Sequence, residues 1–235
     1  MSRPPAWTED RLGRVLRQLD TLADRSRLAG MARYGIQVDK ALGVSIPELR
    51  GIARKIGTDH DLALRLWDTG IHEARILASM VDDPKEVTPV QMDLWVRGFD
   101  SWDLCDQVCS NLFDRTSYAF DKAMRWSRRR DEFVRRAGFA TMACAAVHRK
   151  DVEDERFEAF LPMIAAAATD ERNYVKKAVN WALRQIGKRS RVLNRKAIAT
   201  AKHIAKLDSG AARWIAADAL RELSSPAVQE RLRRD

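Results

Sequence analysis

The sequence has no run approaching the ~20 uninterrupted apolar residues that a membrane span needs, and Met1 to Trp7 lack the apolar stretch of a secretory leader. A cytoplasmic chain without membrane contact is therefore expected. Cysteine is scarce: Cys105, Cys109 and Cys144 cannot all pair within the chain and form no CxxC motif. The few histidines, His60, His72, His148 and His203, stand apart from them and from one another, so no metal site is expected. Cys105 and Cys109, four apart, read as small apolar residues on one helix face. A glycine-rich phosphate loop, an HExxH motif and a credible Ser/His/Asp order are all missing, which speaks against P-loop, zinc-protease and serine-hydrolase chemistry. Alternating strand patterns are nearly absent as well.

What is present is charge and helical periodicity. Of 235 residues, 46% are hydrophobic and 32% charged, enough apolar surface for one sizeable domain or one repeat array. The net charge of +9 favours a polyanionic partner. Residues 121–210 hold 21 Lys and Arg against 11 Asp and Glu, a net of +10, while the rest is close to neutral. The excess lies in two patches, Asp121 to Lys150 and Glu171 to Lys206, separated by the acidic stretch Asp151 to Glu158. Blocks of like charge repeated along an ordered array suit a surface that tracks phosphates. The cluster Arg128-Arg129-Arg130 reads as a solvated turn adding non-specific attraction.

Helix starts are signalled at Thr8-Glu9-Asp10, Ser45-Ile46-Pro47-Glu48, Thr88-Pro89-Val90-Gln91 and Ser224-Ser225-Pro226, three of them with proline in the first turn after a Ser or Thr cap. Breaks fall at Gly57-Thr58-Asp59, Asp82-Asp83-Pro84, Lys188-Arg189-Ser190 and Asp208-Ser209-Gly210. The first helices of successive pairs then start near residues 45, 88, 130, 169 and 208. A spacing of about 40 is the period of HEAT-like helix pairs. The expected architecture is all-α: one HEAT-like solenoid domain over 1–235, an α-α superhelix with a concave basic face. It comprises an N-terminal helical region (1–30), a core (about 30–205) and C-terminal helices (206–235).

Three segments carry side chains suited to chemistry. In Asn173 to Lys188, the helical phase assigns Val175, Ala178, Val179, Ala182 and Ile186 to an apolar stripe, while Lys177, Trp181, Arg184 and Lys188 form another. Trp181 then points well away from the core among cations, where it can meet a sugar or base while the charges hold phosphates; alternatively it packs under a neighbouring repeat. In Phe99 to Cys109, a helix turns Cys105, Val108, Cys109 and Leu112 inward and leaves Trp102 and Asp106 together at the edge of that face. A partly desolvated carboxylate beside an aromatic wall can stabilise positive charge or position water; equally, Asp106 can cap a helix or pair with a neighbouring repeat. In Asp131 to Ala140, Phe133, Ala137, Ala140 and Cys144 form the stripe with Arg136 at its edge. Its anionic partner is a phosphate, Asp106 or a glutamate.

These segments, in this order, resemble the AlkD-type DNA alkylation repair proteins. The matching stretches are Met31-Ala32-Arg33-Tyr34, Gly43 to Arg50, Trp102-Asp103-Leu104-Cys105-Asp106, Arg136-Ala137-Gly138 and Val175 to Arg184. The resemblance implies HEAT-like repeats around duplex DNA and monofunctional release of N3- or N7-alkylated purines by N-glycosidic hydrolysis. Asp106 would be the catalytic carboxylate, with Trp102, Trp181 and Tyr34 at the lesion sugar. Arg136 would hold a phosphate, with Arg135 one register away, and Lys177, Arg184 and Lys188 supply further phosphate contacts. No cofactor is implied, and a monomer is expected, associated with the nucleoid when bound. The stretch Trp67 to Pro84, with Glu73 and Arg75, is typical of a large branch of the family. Two other classes fit the same charge pattern: a catalytically silent module binding duplex or branched DNA, and a basic scaffold for an acidic protein.

Overall fold

A computed structural model describes the backbone of residues 6–234 and the side chains from Arg11 onward. The start expected at Thr8 falls inside a helix beginning at Ala6, and the side chains there, like Met1 to Pro5, lie outside the described residues. Among the described residues every regular element is helical. The chain divides between Leu112 and Phe113 into two compact units.

The first unit contains α1 (Ala6–Thr21), α2 (Leu28–Arg33), α3 (Ile46–Ile56), α4 (His60–Asp68), α5 (His72–Val81), α6 (Pro89–Arg97) and α7 (Trp102–Asn111). Helix α3 opens with a complete capping box: the Ser45 side chain accepts from the Glu48 amide while Glu48 reaches back to the Ser45 backbone. Asp59 and Thr88 cap α4 and α6 with the side-chain oxygen alone, accepting from the Leu62 and Gln91 amides.

Helix α5 is the axis of this unit and packs against α3, α4 and α7. His72 to Ser79 are all buried, so its charged residues must be satisfied internally. Glu73 accepts from the Leu42 and Gly43 amides at 2.8 and 2.7 Å, anchoring the segment that leads into α3. Gly43 is required there: its φ is +79°, and a Cβ would lie 2.1 Å from the Asp24 carbonyl oxygen. Arg75 lies 4.6 Å above the Trp67 ring and donates to Asp100 (2.9 Å) and to the Gly98 carbonyl. Trp67 stacks on Trp95 at 4.2 Å. In this chain Glu73 and Arg75 thus hold the backbone around α5.

The second unit contains α8 (Ala119–Trp126), α9 (Glu132–His148), α10 (Asp154–Glu158), α11 (Leu161–Ala167), α12 (Asn173–Gly187), α13 (Arg191–Ile204), α14 (Gly210–Leu223) and α15 (Pro226–Arg234). Its core runs from Ala119 to Leu223 and is rich in alanine, which lets α9, α12 and α14 approach closely. At Gly138, α9 also approaches the end of α8 so closely that a Cβ would lie 2.4 Å from the Ser127 amide nitrogen. Val175, Ala178, Val179, Ala182 and Ile186 are all fully buried, as their phase requires. Each fully buried Val or Ile is worth roughly 1.5–3 kcal/mol of transfer free energy.

Leading helices begin at 46, 89, 132, 173 and 210, close to the expected rhythm. The expected breaks at Gly57, Asp82, Lys188 and Asp208 all fall between helices.

Candidate nucleic-acid interface

In the first unit, three proposed site residues converge on α7. Trp102 opens the helix, and Asp106 follows one turn later on the same flank. The inward face of α7 is locked: Leu104, Cys105, Val108 and Cys109 are fully buried, so Trp102 and Asp106, both half-buried, are held at its border. The Trp102 indole nitrogen donates to the Tyr34 carbonyl at 2.9 Å, tying α7 to the turn after α2. The Tyr34 ring is 72% exposed, so that contact uses only its backbone.

Beneath this edge, Asp103 is clamped by His72 (2.8 Å) and the Ser101 hydroxyl (2.8 Å). Burial acts to raise the Asp103 pKa, but the His72 hydrogen bond and charge outweigh it and hold the carboxyl below its ordinary value. Burial likewise acts to lower the pKa of His72, yet Asp103, with help from Glu73 and Asp100, raises it. The N-terminal turn of α7 is thereby fixed to α5 by a charge-assisted bond. Sequence reasoning missed this. Only the acidic residue next to Trp102 hinted at it.

The second unit carries the remaining candidates. Lys177 is exposed on α12. Trp181, one turn on, is half-buried and packs against the unit's hydrophobic core. Of the two positions open to this indole, the structure selects partial burial over free projection. Arg184 and Lys188 continue the stripe, but both bind Glu222 of α14, at 2.5 and 2.6 Å, and Arg184 also lies 3.5 Å from Asp218. Burial pushes the Glu222 carboxyl up, while hydrogen bonds from Lys188 and Arg184 more than offset this and keep it below its ordinary range. Two of the stripe's three cations are therefore matched by acids spaced four apart on the neighbouring helix.

Arg136 is only 5% exposed and donates to the Tyr174 carbonyl at 2.6 Å, bridging α9 to the start of α12. Arg135 lies 3.4 Å from Asp170. Both arginines of the ambiguous pair are thus engaged at the α9–α12 junction. Arg128, Arg129 and Arg130 form an exposed turn.

Three histidines that appear isolated in sequence each meet an aspartate: His60 with Asp82, His72 with Asp103 and His148 with Asp114. No cluster of three or more His, Cys, Asp or Glu side chains suited to a metal occurs among the described residues. No described helix is long and apolar enough to cross a membrane.

The element order and repeat rhythm define an all-helical protein of HEAT-like repeat type. The fold matches a solved structure over 95% of this chain and 94% of that one, with a TM-score of 0.76 and 23% identity. That protein is described as representing a new family related to the HEAT-like repeat DNA glycosylases, with affinity for branched DNA structures. No curated relative matches the chain. The profile of the DNA alkylation repair enzyme family matches residues 15–223, and the chain belongs to that family.

Proposed function

We propose that this protein is a monofunctional DNA glycosylase that hydrolyses the N-glycosidic bond of N3- and N7-alkylated purines in duplex DNA. The observation that carries this reading is the placement of Asp106: one turn beyond Trp102, half-buried, on a helix whose opposite face is locked in the core. A carboxylate carried on a helix that the core fixes in place stays near the charge that develops beside it, and partial desolvation strengthens its field.

An N3- or N7-alkylated purine already carries positive charge, so its departure needs little help from a general acid. The C1′–N9 bond breaks, the purine leaves with the bonding electrons as a neutral base, and the cationic sugar is stabilised by the Asp106 carboxylate. Water then adds at C1′, and its proton passes to Asp106 or to solvent. Trp102, Trp181 and Tyr34 are assigned to the sugar and its flanks, and Lys177 to a phosphate. Arg136, Arg184 and Lys188 reach phosphates only by exchanging their protein partners, so their assigned contribution is smaller. A cofactor has no part in the scheme, and one chain suffices for it.

A second reading is supported by the fold relative's affinity for branched DNA and by the neutralisation of Arg184 and Lys188: a module that binds DNA without excising bases. Incubating the full chain with methylated genomic DNA and assaying free 7-methylguanine and 3-methyladenine separates the two. Released base, with strand breaks appearing only after alkali, supports the enzyme. A gel shift of the same DNA with no released base supports the silent module.

A further inference from the structure

Helices α12 and α14 meet along a seam with a constant register of 38 residues. Asn180 donates to Asp218 at 2.7 Å, Arg184 to Glu222 at 2.5 Å, and one rung earlier Lys176 lies 5.9 Å from the centre of the Trp214 ring. The seam changes character along its length. Towards the C-terminal ends of the helices it is sealed by ion pairs, whereas at the first rung a cation meets an indole that is 42% exposed. Trp214 is the one exposed tryptophan among the described residues; Trp67, Trp95, Trp102, Trp126 and Trp181 are all buried or half-buried.

Trp214 is also the fifth residue of its helix, as Lys177 is of α12. In a repeat array, equivalent positions in successive repeats line one surface. Glu171 and Asp208 border that surface. Glu171 accepts from the Ser209 hydroxyl at 2.7 Å and the Ala211 amide at 2.9 Å at the start of α14, and the Lys176 charge acts on it as well, so a phosphate at Lys176 shares that cation with Glu171. Asp208 pairs with Arg213 at 3.3 Å, but both side chains are highly exposed, and exposed pairs of this kind contribute little. Arg213 can therefore exchange Asp208 for a phosphate.

From this we infer that Trp214, with Lys176 against its ring and the exposed Lys177 and Arg213 next to these two residues in the chain, is a stacking platform for an unpaired nucleotide at the edge of a bound DNA. An indole face stacks on any base, and the three cations hold the adjoining backbone. Paired bases inside a duplex offer no free face, so the platform confers a preference for DNA in which a single-stranded nucleotide adjoins a duplex. The inference rests on the DNA-binding part of the proposed function but not on excision.

The test compares binding of the full chain to a fluorescein-labelled blunt duplex and to the same duplex carrying a single-stranded overhang, by fluorescence anisotropy. Trp214→Ala is expected to weaken binding of the overhang probe about tenfold and to leave the blunt duplex within about twofold, the loss expected for one base stack. Trp214→Phe should retain most of the preference, and Lys176→Ala with Lys177→Ala should weaken both probes and flatten the salt dependence. For the wild type, ultraviolet cross-linking to 5-iodouracil in the overhang is expected to label the peptide carrying Trp214. A folded Trp214→Ala chain with unchanged overhang affinity, or a cross-link mapping elsewhere, would overturn the inference while leaving DNA binding intact. A wild type that binds neither probe would remove the DNA-binding reading and this inference together.

Discussion

The Trp102 indole donates to the backbone carbonyl of Tyr34, 68 residues earlier, while the Tyr34 ring itself stands in solvent. Backbone tie and aromatic ring can therefore be separated by mutation. Tyr34→Ala keeps the carbonyl and is expected to change stability by less than about 0.5 kcal/mol in urea denaturation, as for most exposed positions. Any loss of excision in that variant then reports the ring. Trp102→Phe removes the tie and should cost about 0.5–1.5 kcal/mol of stability in addition to its effect on excision.

Glu222 holds both Arg184 and Lys188. Glu222→Gln keeps the shape, removes the charge and releases Lys188 from its ion pair, while Arg184 keeps only Asp218 at 3.5 Å. Affinity for undamaged duplex DNA is expected to rise, and the slope of log K against log salt to steepen by about one to two ions. A salt titration monitored by anisotropy checks this; weaker binding with an unchanged slope would contradict the assignment of this stripe to phosphates.

The His72–Asp103 pair gives a pH signature. The folded state raises the pKa of His72, so its contribution to stability is fully present below the unfolded value near 6.5 and is lost as pH climbs through the higher folded value. Asp103, with its pKa lowered, contributes above its unfolded value near 3.8 and loses that contribution on acidification. The pair therefore supports the fold most between about pH 4 and 6.5. The stability difference between wild type and His72→Gln, measured by urea denaturation, should be larger at pH 6 than at pH 8.5. An equal difference at both would show that the pair carries no charge.

Gly138 lets α9 approach the end of α8. A Cβ there would meet the Ser127 amide nitrogen at 2.4 Å, the Ser127 Cα at 2.8 Å and the Ala123 carbonyl oxygen at 2.9 Å, all backbone atoms that cannot rotate away. Gly138→Ala is expected to destabilise the protein by about 1–3 kcal/mol despite the better helix propensity of alanine. A thermal melt unchanged or raised by the substitution would show that the two helices can part at little cost.

Local signals carried most of the fold in the sequence. The Ser45–Glu48 capping box and the Thr88–Pro89 start act within one turn, so they can be read without knowing what packs nearby. The stripe Val175, Ala178, Val179, Ala182 and Ile186 is likewise a property of one helix, and the structure buries all five. Partners across helices are different. Glu222 reaches Lys188 from 34 residues away, and Arg136 finds the Tyr174 carbonyl 38 residues on, because the register between packed helices decides both. Nothing in the composition of α14 marks Glu222 as a partner except its spacing of four from Asp218. The same distance hid the three His–Asp pairs. Trp181 was legible as a residue outside the apolar stripe, but its partial burial depends on the surrounding helices.

The most direct test of the central claim is the release of 7-methylguanine from methylated duplex DNA by wild type and Asp106→Asn, with binding of the same DNA measured in parallel. Loss of one preorganised electrostatic group should reduce the release rate by about 10²-fold or more, equivalent to about 3 kcal/mol of barrier, while the dissociation constant changes little. Release by Asp106→Asn at the wild-type rate, in a folded protein that binds DNA normally, would contradict the assignment of the carboxylate.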